Sequence, residues 1–274
     1  MGEWFIVKRV LKGDAPHLLI EYTTTHPDSS WVEMSEDNTL KGSQAAHACR
    51  NQTVSDQFGL CAYCEQNISS AAPTRRRLEH FHPKSDNKVT HNWGLDWKNM
   101  LATCDGGSWR VSEDELNYPL PDNLSCDEHK NHMVSRGKLP VNCEGYLINP
   151  LSMPAFPNLF SLEGGSWKLL ADEKSCTNVT FAENTYFSTF ELVCQTINIL
   201  NLNCDRLVEE RKQLVFNINR NIKTLRDKGY SPNEVPGQLV SRYFNEKWPK
   251  FFTTLRCFIG TAVDDYLKVE GYNG

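Results

Sequence analysis

From Gly59 to about Pro150 the chain has no long apolar stretch at helical or strand spacing and is instead rich in Cys, His, Trp, Asn and Gly. Such a segment cannot be held by burying one face of a regular element. Its shape has to come from ligands and specific hydrogen bonds, as in small metal-braced folds. Four of its cysteines stand in a usable order: the CxxC pair Cys61 and Cys64, then Cys104 and Cys126. The second pair is separated by 21 residues instead of two, but Gly106-Gly107 and the polar stretch Asp105 to Ser125 read as a loop between two ligands. Zinc prefers four N or S ligands in a tetrahedron, which these thiolates would supply. The competing reading makes some of them buried free thiols. That reading fits Cys49, Cys143, Cys176, Cys194, Cys204 and Cys257, which lack ligand spacing.

The flanking segments differ in character. At 274 residues the chain can bury a sizeable core, so a metal would be a local brace. Residues 1–58 form an N-terminal segment whose stretch from Asn38 to Phe58 reads as a helix stopped by Gly59. Residues 59–150 form the braced core. Residues 151–274 form a helical region, in which Asn184 to Asn201 and Asp205 to Lys228 carry apolar residues at spacings of three, four and seven. These read as two antiparallel helices, the second capped by Asp205 and stopped by Gly229, with two more from Pro236 to Trp248 and Pro249 to Leu267. The fold class expected is α+β and predominantly helical.

After Met1-Gly2 comes only the short apolar run Trp4 to Val7, then Lys8-Arg9. That run is too short for a signal-peptide core or a membrane span, so the expectation is a cytoplasmic protein whose ten cysteines are reduced, not a disulfide-stabilised secreted one. No Gly-X4-Gly-Lys-Ser/Thr loop is present for ATP. The net charge of -5 disfavours indiscriminate phosphate binding. Locally the balance reverses: Pro73 to Lys98 has six basic residues (Arg75, Arg76, Arg77, Lys84, Lys88, Lys98) against three acidic ones (Glu79, Asp86, Asp96), a net of +3.

Within that basic stretch lies Glu79-His80, with Asn99 just ahead of Cys104. Phosphodiester hydrolysis needs a base to deprotonate water and a cation to offset developing charge. Adjacent strand residues point to opposite sides, so Glu79 and His80 can serve together only if the strand bends or the reacting centre sits at its edge. Taken alone, the pair reads as a surface acid beside a core histidine, and Asn99 as a turn residue.

The ordered set resembles the HNH endonucleases, and within them the PtuB-like proteins of Septu and retron-associated phage-defence systems. The resemblance rests on Gly59 to Glu65, Leu78 to Ser85, Leu95 to Cys104 and Cys126 to Lys130, and continues through Leu147 to Leu151 and Thr196 to Leu207. It implies a ββα-metal site in which His80 is the general base and Glu79 a ligand of catalytic Mg²⁺ or Mn²⁺. Asn99 would hold the loop that orients the histidine, and Cys61, Cys64, Cys104 and Cys126 would bind structural Zn²⁺. Asp127 is the first choice for the third metal-binding position, because a carboxylate suits Mg²⁺; Asn131 and His132 are alternatives, since the chain departs here from the commoner family pattern, which has Asn after that cysteine. Lys84 and Lys130 are candidates for backbone phosphate contacts. His82 stands where the family more often has Arg, and either touches phosphate or packs. The implied partners are DNA or RNA and a PtuA-like ABC-type ATPase, with a retron reverse transcriptase and its msDNA; no membrane is involved. The competing function is a catalytically silent zinc module acting as an adaptor or nucleic-acid binder.

Overall fold

A computed structural model describes residues 8–39, 41–72, 75–86, 90–109, 112–245 and 248–273. The opening run Trp4 to Val7 and Lys88 lie outside the described residues. Three short helices come first: α1 (His17–Thr25), α2 (Trp31–Glu36) and α3 (Gly42–Asp56). Then come strands β1 (Arg76–His80) and β2 (Met100–Cys104), helices α4 (Ser112–Asn117) and α5 (Cys126–Ser135), and strands β3 (Phe160–Leu162) and β4 (Leu169–Ala171). The rest is α6 (Glu173–Cys176), α7 (Thr189–Ile199), α8 (Asp205–Asp227), α9 (Val235–Tyr243), α10 (Phe252–Ile259) and α11 (Thr261–Val269). The architecture is α+β and mainly helical, with two two-stranded antiparallel sheets among the described residues.

Two apolar clusters hold it. The smaller joins Leu19, Tyr22, Trp31, Met34, Ala45 and Ala46 of α1–α3 to Leu95, Trp97 and Met100, so the N-terminal helices pack on the sheet. The larger is continuous from Val10 through Cys61, Leu101, Leu147, Leu192, Leu207 and Phe252 to Tyr272, and draws on residues 59–150 and 151–274 alike. In β1–β2, Arg76 pairs Cys104 and His80 pairs Met100. Helix α3 also closes the other edge of β2: Gln57 donates through Nε2 to the Ala102 carbonyl at 2.7 Å and accepts from Ala102 N at 2.7 Å. The Ala102 N–H is thereby satisfied, and its carbonyl, which also accepts from Ala62 N at 3.0 Å, gains a second donor.

Several helix readings are corrected in detail. Helix α3 starts at Gly42, not Asn38, because Lys41 has φ 61° and is left-handed. The periodic stretches after residue 184 are helices, α7 packing against α5, α6 and β4 and α8 against α9. Asp205 lies in the first turn of α8 and does not cap it; Cys204 is the N-cap. The stretch Pro249 to Leu267 breaks into α10 and α11 at Gly260, whose φ of 80° is available to glycine at little cost.

Candidate metal-dependent active site

Four thiols meet where the turn at residues 61–64, the end of β2 and the start of α5 converge. Their Sγ atoms all lie within 4.8 Å of one another and all four residues are buried. Cys61 to Cys126 is 3.8 Å, Cys64 to Cys104 3.7 Å and Cys104 to Cys126 3.7 Å. A zinc ion with Zn–S bonds of about 2.3 Å requires tetrahedron edges of roughly 3.8 Å, the length of these three, so the cluster is one that could hold zinc. Backbone N–H groups of Cys104 and Gly106 point at the sulfurs of Cys61 and Cys104 at 3.3 and 3.4 Å. Gly106 has φ 60°, and a Cβ there would run into the Ser125 carbonyl. The Gly106-Gly107 pair is what lets the long excursion return.

Helix α5 is fixed at its start by the end of α7. Cys126 N donates to the Leu200 carbonyl at 2.8 Å, and His129 Nδ1 donates to the Ile199 carbonyl at 2.8 Å. Asn201 Nδ2 reaches the carbonyls of Asp122 and Leu124, both at 2.8 Å. The Thr196 to Leu207 motif therefore seats the helix that carries Asp127.

Next to the sulfur cluster, β1, β2 and α5 form a unit of two strands and a helix with an open cleft of about 510 Å³. Consecutive residues Arg76 to Phe81 line this cleft, which follows the free edge of β1. Glu79 and His80 both reach it for that reason, although they leave opposite faces of the strand. Asp127, Lys130 and Asn131 come from α5, Trp31 and Arg50 from α2 and α3, and Lys84 from the turn after Pro83.

His80 is only 9 % exposed yet lines the cleft. Its Nε2 donates to the Gly94 carbonyl at 3.0 Å, because a carbonyl can only accept. That tautomer leaves Nδ1 with its lone pair. Burial pulls the imidazole down to about 4, with the Gly94 bond acting the other way. The ring also meets Trp31 edge-on at 5.1 Å. Asn99 is buried and holds the connection from both sides: Oδ1 accepts from His82 N at 2.7 Å, while Nδ2 donates to the carbonyls of His82 and Trp93, both at 2.9 Å. Since Trp93 precedes Gly94, Asn99 sets the carbonyl that sets the histidine.

Glu79 and Asp127 are buried carboxylates converging on one point, where the ammonium of Lys130 sits. Lys130 Nζ bonds Glu79 Oε1 and lies 3.2 Å from Asp127 Oδ1. Asp127 Oδ1 has no hydrogen bond of its own. Burial pushes the Asp127 carboxyl up to about 6, against the Arg77 charge and a hydrogen bond from Asn131. Two carboxylate oxygens facing one cation position suit a hard ion. Of the positions considered on α5, Asp127 and Asn131 line the cleft; His132 instead lies near His129, 6.3 Å between ring centroids.

Two residues expected on phosphate are placed differently. Lys130 is 6 % exposed and engaged as described. His82 is buried, stacked on Trp93 at 4.0 Å, with Nδ1 3.0 Å from Glu144 and Nε2 3.0 Å from Asp86. Both ring nitrogens face carboxylates, which leaves the side chain packed inside the protein. Lys84 does stand exposed at the cleft, joined by Arg50, Arg76 and Arg77. Sequence reasoning singled out neither Arg50, which precedes the cleft residues by a whole segment, nor the Lys130 bridge. The signal for the bridge was present: Asp127, Lys130 and Asn131 have helical spacings of three and four and so share a face.

All ten cysteines are free thiols. No helix among the described residues is long and apolar enough to cross a membrane. No family model matches the chain. It is 32 % identical over 262 residues to an Escherichia coli protein named "Retron Ec83 putative HNH endonuclease", covering 92 % of this chain and 93 % of that one. The chain thus belongs to the HNH endonuclease family that includes this retron protein.

Proposed function

We propose that this chain is a metal-dependent endonuclease that hydrolyses phosphodiester bonds of nucleic acid at the cleft between β1 and α5. The observation that carries the reading is that Glu79, Asp127 and His80, whose Nε2 is held by the Gly94 carbonyl, line one basic cleft. Glu79 and Asp127 would hold the ion, with Asn131 beside them. A divalent ion such as Mg²⁺ or Mn²⁺ would offset charge on the phosphate and on the departing oxygen. His80 Nδ1 takes the proton from the attacking water. Asn99 is a positioning residue, keeping the Gly94 carbonyl against Nε2. Arg50, Arg76 and Lys84 hold the backbone phosphates on either side. The four cysteines hold structural zinc and take no part in the chemistry.

The wider reading follows the PtuB-like resemblance. The chain is the effector nuclease of an anti-phage complex in the cytoplasm, working with a PtuA-like ABC-type ATPase and with a retron reverse transcriptase and its msDNA. The retron name of the relative supports that reading. The experiment is cleavage of plasmid and of RNA with added Mg²⁺ or Mn²⁺, by the chain alone and with the ATPase co-expressed. Cleavage that EDTA stops and His80→Ala abolishes, with zinc content unchanged, is the expected result. Full activity in folded His80→Ala would remove the base, and no cleavage under any condition would favour the silent zinc module.

A further inference from the structure

Lys130 occupies the position that the two carboxylates define. Formally, Glu79, Asp127 and Lys130 carry two negative charges and one positive. All three are buried, at 7, 6 and 6 % exposure, and the ammonium touches both acids. A lysine on a surface helix gains little from such pairing, but burying these carboxylates without a cation would be costly. The same point cannot hold an ammonium and a divalent ion together, since both would need the same oxygen atoms at bonding distance. Lys130 sits on the cleft wall, on a flexible four-carbon stem, and the cleft gives it a route outward.

We propose that Lys130 is an exchangeable internal counter-ion of the metal site: it holds Glu79 and Asp127 together until a divalent ion displaces its ammonium into the cleft. This rests on the reading of Glu79 and Asp127 as the metal pair. Three consequences follow. The folded protein tolerates the absence of its catalytic ion. Apparent metal affinity is reduced by the fraction of molecules in which Lys130 is in place. The site loads its ion in competition with a built-in charge, and so responds to metal supply over a higher range than two bare carboxylates would.

The test uses the full zinc-loaded chain and Mn²⁺ alone as probe, followed by electron paramagnetic resonance and by the rise in melting temperature that Mn²⁺ produces. Wild type is compared with Lys130→Met, Lys130→Gln and Glu79→Gln. Removing the ammonium should tighten Mn²⁺ binding about tenfold or more. The Lys130 variants should melt lower than wild type without added Mn²⁺ and regain most of the loss with Mn²⁺, a larger rise than wild type shows. Glu79→Gln should lose the site in either background. If folded Lys130→Met and Lys130→Gln bind Mn²⁺ no more tightly than wild type while Glu79→Gln still abolishes binding, the exchange is wrong and the metal pair stands. If no variant, nor wild type, binds Mn²⁺ at a site sensitive to Glu79→Gln, the metal pair falls and the exchange with it. Using both Met and Gln keeps the comparison readable should one variant fold poorly.

Discussion

At the level of single residues, the ring of His80, the base proposed above, is set by two hydrogen bonds made elsewhere. The Gly94 carbonyl fixes the proton on Nε2, and Asn99 fixes that carbonyl through Trp93. Asn99→Ala should cost roughly 3 kcal/mol by orphaning the His82 N–H and two carbonyls. It should also lower kcat more than KM, because substrate contacts are untouched while the base is misplaced; a matched fall in neither would show the residue to be structural only. The histidine leaves a second mark, on stability. With its folded value near 4 and its unfolded value near 6.5, the folded state binds fewer protons across that window. The contribution is fully present above pH 6.5 and is lost as pH falls through about 4, a swing on the order of 3 kcal/mol. Urea unfolding from pH 4 to 7 should therefore be steeper in pH for wild type than for His80→Gln, and equal slopes would contradict the assignment. That Glu79 and His80 stand together at the cleft with Asn99 bonded behind them was legible because each sits in a short ordered motif; their roles remain the proposal above. The placements of His82 and Lys130 were not legible. Their partners, Glu144 and Asp86 for one and Glu79 for the other, are set by tertiary packing across separations of 62 and 51 residues as well as locally.

Between elements, the sulfur cluster ties the turn at residues 61–64 to the end of β2 and the first residue of α5. Asp127 is the next residue after Cys126, so its position follows from the sulfur cluster. Cys61→Ser should release zinc and lower the melting temperature by about 10 °C or more, with activity falling in step. Cys176→Ser, a buried thiol outside the cluster, should keep its zinc. Atomic absorption and calorimetry on the two variants make the comparison, and a zinc content unaffected by Cys61→Ser would rule the brace out. The CxxC spacing announced one half of this cluster. The other half was readable only through the Gly106-Gly107 loop, whose left-handed backbone brings Cys126 back. The packing of α7 against α5 was hidden, since an apolar stripe states that a helix is buried but not against what.

Across the whole molecule, one apolar core and a few buried polar residues join segments far apart in sequence. Glu65, next to the ligand Cys64, accepts from Thr253 N at 2.9 Å and from Lys8 N at 3.3 Å. Arg211 is fully buried and donates to the carbonyls of Trp167 and Leu202 at 3.0 and 2.7 Å. Glu65→Ala should therefore cost about 3 kcal/mol although it lies outside the cleft. Heat should unfold the C-terminal helices and the braced core in one transition, seen alike by tryptophan fluorescence and circular dichroism. Cutting the chain after Leu202 would remove Arg211 and Thr253 and so damage the fold itself. The most direct test of the whole scheme is anomalous diffraction from crystals grown with Mn²⁺. Expected are a zinc peak among Cys61, Cys64, Cys104 and Cys126, and a manganese peak between Glu79 and Asp127 with His80 Nδ1 facing the same cleft. Manganese bound elsewhere, or no peak between those carboxylates at saturating Mn²⁺, would contradict it.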